Sequence, residues 1–171
     1  MRPFAVVDLG ASALRLAVAE SQAGAPPRIL EEASRGILLG KDTFTHGRLG
    51  AATVEATLKV LEGFRRIMDT YGVVRYRAVA TSAIRDATNR DEFLRRADLD
   101  VQVLTTEEEA FYGYLAAVNS TTLTDGVALD LGGGSMQLTR VESRAAIDGR
   151  SWPLGAVRMT ERFMPEGGKA K

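Results

Sequence analysis

The sequence has no cysteine and a single histidine, His46. Disulfides are excluded, and a zinc site of the usual nitrogen and sulfur kind is not expected. A chain without thiols suits a reducing compartment, so a cytoplasmic location is the expectation. Neither sign of charge is in excess, with 22 Lys and Arg against 22 Asp and Glu. No global field then draws nucleic acid or an anionic membrane to the chain, and neither is expected as a partner. No apolar run approaches bilayer-spanning length, and Asp8 interrupts the only stretch that could serve as a signal peptide. At 171 residues the chain can bury one good core, or one complete lobe and part of another.

The most informative stretch runs Gly126-Val127-Ala128-Leu129-Asp130-Leu131-Gly132-Gly133-Gly134-Ser135-Met136-Gln137-Leu138. It reads as an apolar strand ending in an aspartate, a glycine turn, and a return strand. Glycines let backbone N–H groups approach an anion closely, and the adjacent aspartate can hold a divalent cation that neutralises phosphate oxygens. No lysine follows the glycines, which excludes a P-loop. A dinucleotide fingerprint would need a third glycine at Gln137 and a helix after it. The leading reading is a phosphate-and-metal loop; a tight hairpin without a ligand is the alternative.

An echo lies upstream. Val6-Val7-Asp8-Leu9-Gly10-Ala11-Ser12-Ala13-Leu14-Arg15-Leu16 repeats the order of strand, Asp-Leu-Gly, turn and strand. A shift of 122 positions (130 − 8) lays Asp8 on Asp130, Gly10 on Gly132 and Leu16 on Leu138. A repeat spaced by a domain's length predicts two similar lobes, each opening with a phosphate hairpin and facing the other across a cleft.

Between the echoes, Gly24-Ala25-Pro26-Pro27 predicts a turn and Arg28 to Leu39 a strand, with Gly40 to Gly50 as loop and His46 exposed in it. Ala51 to Tyr71 is the clearest helix, with Val54, Leu58, Leu61, Phe64, Met68 and Tyr71 on one face and Gly72 at its end. Arg75 to Ala80 reads as a strand that runs into Thr81-Ser82-Ala83-Ile84-Arg85-Asp86-Ala87. Hydroxyls and a guanidinium at a strand end suit phosphate, a surface Arg85–Asp86 pair being the alternative. Asn89 to Ala97 reads as a short helix and Asp100 to Leu104 as a strand.

Thr106 to Val118 is then predicted as a helix burying Phe111, Tyr114, Leu115 and Val118. Thr106 with Glu109 three residues on fits a capping box, and the residues alone favour that role for Glu109. A general base orienting water is the alternative, and one residue can serve both. Asn119 to Asp125 is the expected lobe boundary, giving lobes 1–125 and 126–171. Ala145 to Trp152 reads as a strand, Ala156 to Phe163 as a helix, and Pro165 to Lys171 as a flexible tail.

Five segments together resemble the exopolyphosphatase and guanosine pentaphosphate phosphohydrolase family, of the actin, sugar-kinase and heat-shock-chaperone superfold. They are Val7-Asp8-Leu9-Gly10 with Leu14-Arg15-Leu16, Ala80 to Leu94, Glu107-Glu108-Glu109-Ala110, Leu129 to Ser135, and Leu154 to Phe163. The resemblance implies an α/β fold: an actin-like (ribonuclease H-like) lobe with a mixed sheet flanked by helices, and the start of a second lobe. It implies Mg²⁺-dependent removal of terminal phosphate from polyphosphate or guanosine pentaphosphate. Glu109, Asp130 and Arg85 would be catalytic, with Glu109 the base. Gly10, Ala11, Ser12, Arg85, Gly132, Gly133, Gly134 and Ser135 would bind phosphate, and Asp8 and Asp130 would organise the metal. A homodimer is kept open.

The chain departs from that family's pattern in three places. Ala11-Ser12-Ala13 replaces Ser-Asn-Ser, and Met136-Gln137-Leu138 replaces Thr-Glu-Leu, so Gln137 stands where the family has a carboxylate. The family's modules also run longer, and the second lobe is expected to be incomplete. A phosphate-binding or sensor module with weak hydrolysis is therefore a second hypothesis. A kinase of the same superfold is a third, without a visible adenosine-binding segment.

Overall fold

The computed structural model describes residues 2–164; the tail foreseen at Pro165 to Lys171 lies outside the described residues. The chain divides into two compact units, one ending at Val103 and the other beginning at Leu104.

The first unit is built on a five-stranded sheet of β1 (Phe4–Leu9), β2 (Ala13–Gln22), β3 (Ala25–Gly36), β4 (Arg75–Ala80) and β5 (Val101–Val103), in the order β3-β2-β1-β4-β5. Strands β1, β4 and β5 are parallel, and β2 and β3 join antiparallel. Alternation along β1 and β2 sends Ala5, Val7, Leu9, Leu14, Leu16 and Val18 to one buried face, where the registers Val7↔Leu16 and Leu9↔Leu14 align them. Helix α2 (Ala51–Thr70) contributes Val54, Leu61, Phe64 and Met68 to the same core, as its apolar period foretells. Helices α3 (Ser82–Arg85) and α4 (Arg90–Arg96) add Ile84 and Phe93. Asp8 and Arg15 lie on the other sheet face, opposite each other in register.

Several boundaries differ from expectation. The segment read as loop from Gly40 holds helix α1 (Leu39–His46), anchored by fully buried Leu39; His46 is exposed at its end. The turn before β3 is Ala23-Gly24, with Gly24 at φ 69°, and β3 starts at Ala25. Pro26 and Pro27 are tolerated because β3 is an edge strand. Asn89 precedes α4 but makes no side-chain cap; its amide instead clasps the backbone N–H and C=O of Leu49.

The second unit holds α5 (Thr106–Ser120), an antiparallel sheet of β6 (Gly126–Leu131), β7 (Met136–Glu142) and β8 (Ala145–Trp152), and α6 (Ala156–Phe163). Its start differs from the expected boundary after 125 because α5 packs on β6, β7 and β8. The helix lies close to the sheet through small residues: a Cβ on Gly113 would stand 3.0 Å from Asp130 Oδ2. Phe111, expected in the core, is 52% exposed, and Val118 is the buried residue of the helix.

Candidate phosphate site

The two echoing stretches fold into the same device. Asp8 stands near the end of β1 opposite Arg15, as Asp130 stands near the end of β6 opposite Gln137. Each turn is closed alike, Gly10 N donating to Ala13 O (3.1 Å) and Gly132 N to Ser135 O (3.0 Å). Each turn is also held from behind by the start of a later helix. Gly40 N of α1 donates to Ala11 O (2.8 Å), and Arg158 N of α6 donates to Gly133 O (3.1 Å). Ala11 and Gly133 correspond under the same 122-residue shift (133 − 11). Neither helix has a side-chain cap, so the loop carbonyls satisfy N–H groups left open at the helix start.

In the second unit this backing is complete. Ala156 N donates to Gly132 O (2.9 Å), Arg158 N to Gly133 O, and Arg158 Nε to Gly134 O (2.8 Å). A planar trans peptide points its N–H opposite its C=O. With three successive carbonyls turned to α6, the N–H groups of Gly133, Gly134 and Ser135 are turned to the opposite side. Successive N–H groups presented together form an anion-binding concavity. Gly155 is required for this contact, because a Cβ there would meet the Gly134 backbone at 2.3 Å.

Glu109 joins this loop. Ser135 Oγ donates to Glu109 Oε1 at 2.9 Å, and Gln137 Nε2 donates to Ser135 Oγ at 2.9 Å. The expected capping box is displaced by one residue. Thr105 and Glu108 form it, Thr105 N donating to Glu108 Oε2 (2.8 Å) and Glu108 N to Thr105 Oγ1 (3.1 Å). Glu109, in the first turn of α5, is thereby left to face Ser135.

The first unit carries the remaining candidates. Asp8 lies near the end of β1 and Gly10, Ala11 and Ser12 follow it, while Arg85 ends α3, which follows β4. Since β1 and β4 are parallel neighbours, both segments leave the sheet at the same strand ends, and Thr81 N donates to Leu9 O at 3.4 Å. Arg15 Nη1 lies 3.8 Å from Asp8 Oδ2, and Arg85 Nε lies 3.8 Å from Asp86 Oδ1. The side chain of Arg85 is only 19% exposed, so it is more enclosed than an ordinary surface pair.

Arg15, Gly113, Gly155 and Arg158 were not singled out from the sequence. Arg15 was findable, since a hairpin about Gly10 sets it opposite Asp8. Among the described residues no group of three or more His, Cys, Asp or Glu is arranged to hold a metal. No helix among them is long and apolar enough to cross a membrane.

A mixed α/β lobe that opens with a strand-turn-strand hairpin, echoed in the second unit, is the architecture of the actin-like ATPase class of fold. The model of the Ppx/GppA phosphatase family matches residues 17–171, and the chain belongs to that family. Exopolyphosphatase 2 of Mycobacterium tuberculosis is 31% identical over 174 residues, covering 94% of this chain and 54% of that protein. The Ppx/GppA family member of Aquifex aeolicus superposes with a TM-score of 0.80 at 34% identity, covering 96% of this chain and 55% of its own. An exopolyphosphatase from Cytophaga hutchinsonii gives 0.87 at 25% identity, covering 95% and 54%. The chain thus spans about half the length of the relatives it matches.

Proposed function

We propose that the chain serves a Mg²⁺-dependent phosphohydrolase that removes terminal phosphate from polyphosphate or guanosine pentaphosphate. The observation carrying this reading is the 2.9 Å bond from Ser135 Oγ to Glu109 Oε1, which fixes a carboxylate beside the phosphate loop. Hydrolysis needs a water oxygen to bond to the terminal phosphorus while the bridging P–O bond breaks. Glu109 takes the proton from that water. The N–H groups of Gly133, Gly134 and Ser135 hold phosphate oxygens, and the turn at Gly10 to Ser12 does the same in its unit. Arg85 adds a permanent positive charge with paired donors.

Asp8 and Asp130 supply hard carboxylate oxygens. Mg²⁺ suits either carboxylate, each in its own unit, because it binds through one or two carboxylates plus phosphate oxygens and water, without a three-carboxylate cage. When bound, the ion neutralises charge on the phosphate oxygens. The cytoplasm is the location proposed with this activity.

The test is Mg²⁺-dependent phosphate release from polyphosphate, comparing the chain with Glu109→Gln. Release by the parent that falls by about 10²-fold or more in the variant supports the reading. Equal release from both removes Glu109 as base. A second reading, a binding or sensor module, is favoured by Gln137, whose amide is buried and donates to Ser135 where a carboxylate would add charge. Tight polyphosphate binding without release selects it.

A further inference from the structure

The buried polar groups beside the glycine loop form a chain with a direction. Gln137 is 3% exposed and Ser135 4%, so their hydrogen bonds are made almost without water. A serine hydroxyl has a single proton. Because Ser135 Oγ accepts from Gln137 Nε2, that proton goes to Glu109 Oε1. Gln137 stands opposite Asp130 in register, yet its amide nitrogen is spent on Ser135. A carboxamide can donate here without adding charge; a carboxylate at 137 would be a second acceptor for the same proton.

We infer that Gln137 is a positioning residue that acts on Glu109 through the hydroxyl of Ser135. By donating to the oxygen, it polarises the O–H bond and strengthens donation to the carboxylate. Glu109 is held in one orientation, as an acceptor. The consequence for turnover rests on the hydrolytic reading above, whereas the chain of hydrogen bonds does not.

The test reads the chain directly. In the full protein at neutral pH, the side-chain amide of Gln137 is followed by ¹H–¹⁵N NMR. Glu109→Gln replaces a charged acceptor by a neutral one and should shift that amide signal. In a Ser135→Ala background the same substitution should leave it in place. Ser135→Gly serves if the alanine variant does not fold. An amide that ignores Glu109→Gln in the parent overturns the inference, as does one that responds equally without the hydroxyl.

A second arm measures phosphate release from polyphosphate with Mg²⁺. Gln137→Met keeps length and removes the donor, and should lower kcat about tenfold with KM nearly unchanged, the loss of roughly one hydrogen bond. A change confined to KM overturns the positioning role. Amide coupling without turnover in the parent sinks the hydrolytic reading alone, and turnover without coupling sinks this inference alone.

Discussion

Thr105 and Glu108 close a reciprocal cap on α5, with each side chain bonded to the other's backbone N–H. Two neighbouring carboxylates therefore have separate duties. Glu108→Ala removes one side of the cap and should cost about 1 kcal/mol of stability, with phosphate release close to the parent's. Glu109→Gln keeps an oxygen that can accept from Ser135, so stability should stay within about 0.5 kcal/mol while release collapses. Urea unfolding and phosphate assays on both variants check this. The opposite pattern would return the cap to Glu109.

Gly155 and Gly134 touch backbone to backbone. Gly155→Ala would set a methyl 2.3 Å from Gly134 N and C and 2.4 Å from Gly133 C, none of which can swing aside like a side chain. Either α6 or the loop must move. A cost of about 2 kcal/mol is expected, together with weaker phosphate binding as the loop's N–H groups lose alignment. A variant as stable as the parent with unchanged affinity would show that α6 does not set the loop.

The parts legible in the sequence were those with a strong period or a short-range constraint. Helix α2 announced itself through five turns of apolar spacing, and the repeat survived into three-dimensional detail because turn geometry depends on few neighbouring residues. Helix α1 was hidden because its anchors are tertiary: Leu39 enters the core, and Gly40 bonds to a carbonyl in a distant hairpin. The cap on α5 slipped by one because Thr105 and Thr106 are adjacent and three glutamates follow, so two boxes fit equally well. Phe111 looked like core by its hydrophobicity, but α5 approaches its sheet through Gly113 and alanines. At the site, the residues alone favoured a cap for Glu109 and the family resemblance implied the base, while the bond that turns it toward Ser135 depends on how the helix and hairpin pack.

Tyr71, just past α2, donates its phenol proton to Glu31 Oε2 at 2.9 Å. That bond, with burial and the negative charge of Glu31, raises the phenol above its ordinary pKa of 10.0. The folded state keeps the proton where the unfolded chain has released it. This stabilisation is complete below about pH 10 and is lost as pH rises further. Comparing urea unfolding at neutral and strongly alkaline pH, the parent should lose more stability than Tyr71→Phe, which has no proton to release. Equal losses would mean that the pair does not couple to folding.

Gly113 sits inside α5, where alanine would favour the helix by about 1 kcal/mol. Its missing side chain makes room for Asp130: a Cβ would lie 3.0 Å from Oδ2 and 3.5 Å from the aspartate's Cβ. The carboxylate is the movable partner, so Gly113→Ala should keep or slightly raise stability while displacing Asp130 by a few tenths of an ångström. If Asp130 organises the metal, the Mg²⁺ concentration needed for half-maximal phosphate release should rise severalfold with little change in unfolding. A variant that loses stability instead would show that helix-to-sheet packing, and not the aspartate, yields. One that is more stable with unchanged Mg²⁺ dependence would remove Asp130 from the metal site, because its position would then be free to change without consequence.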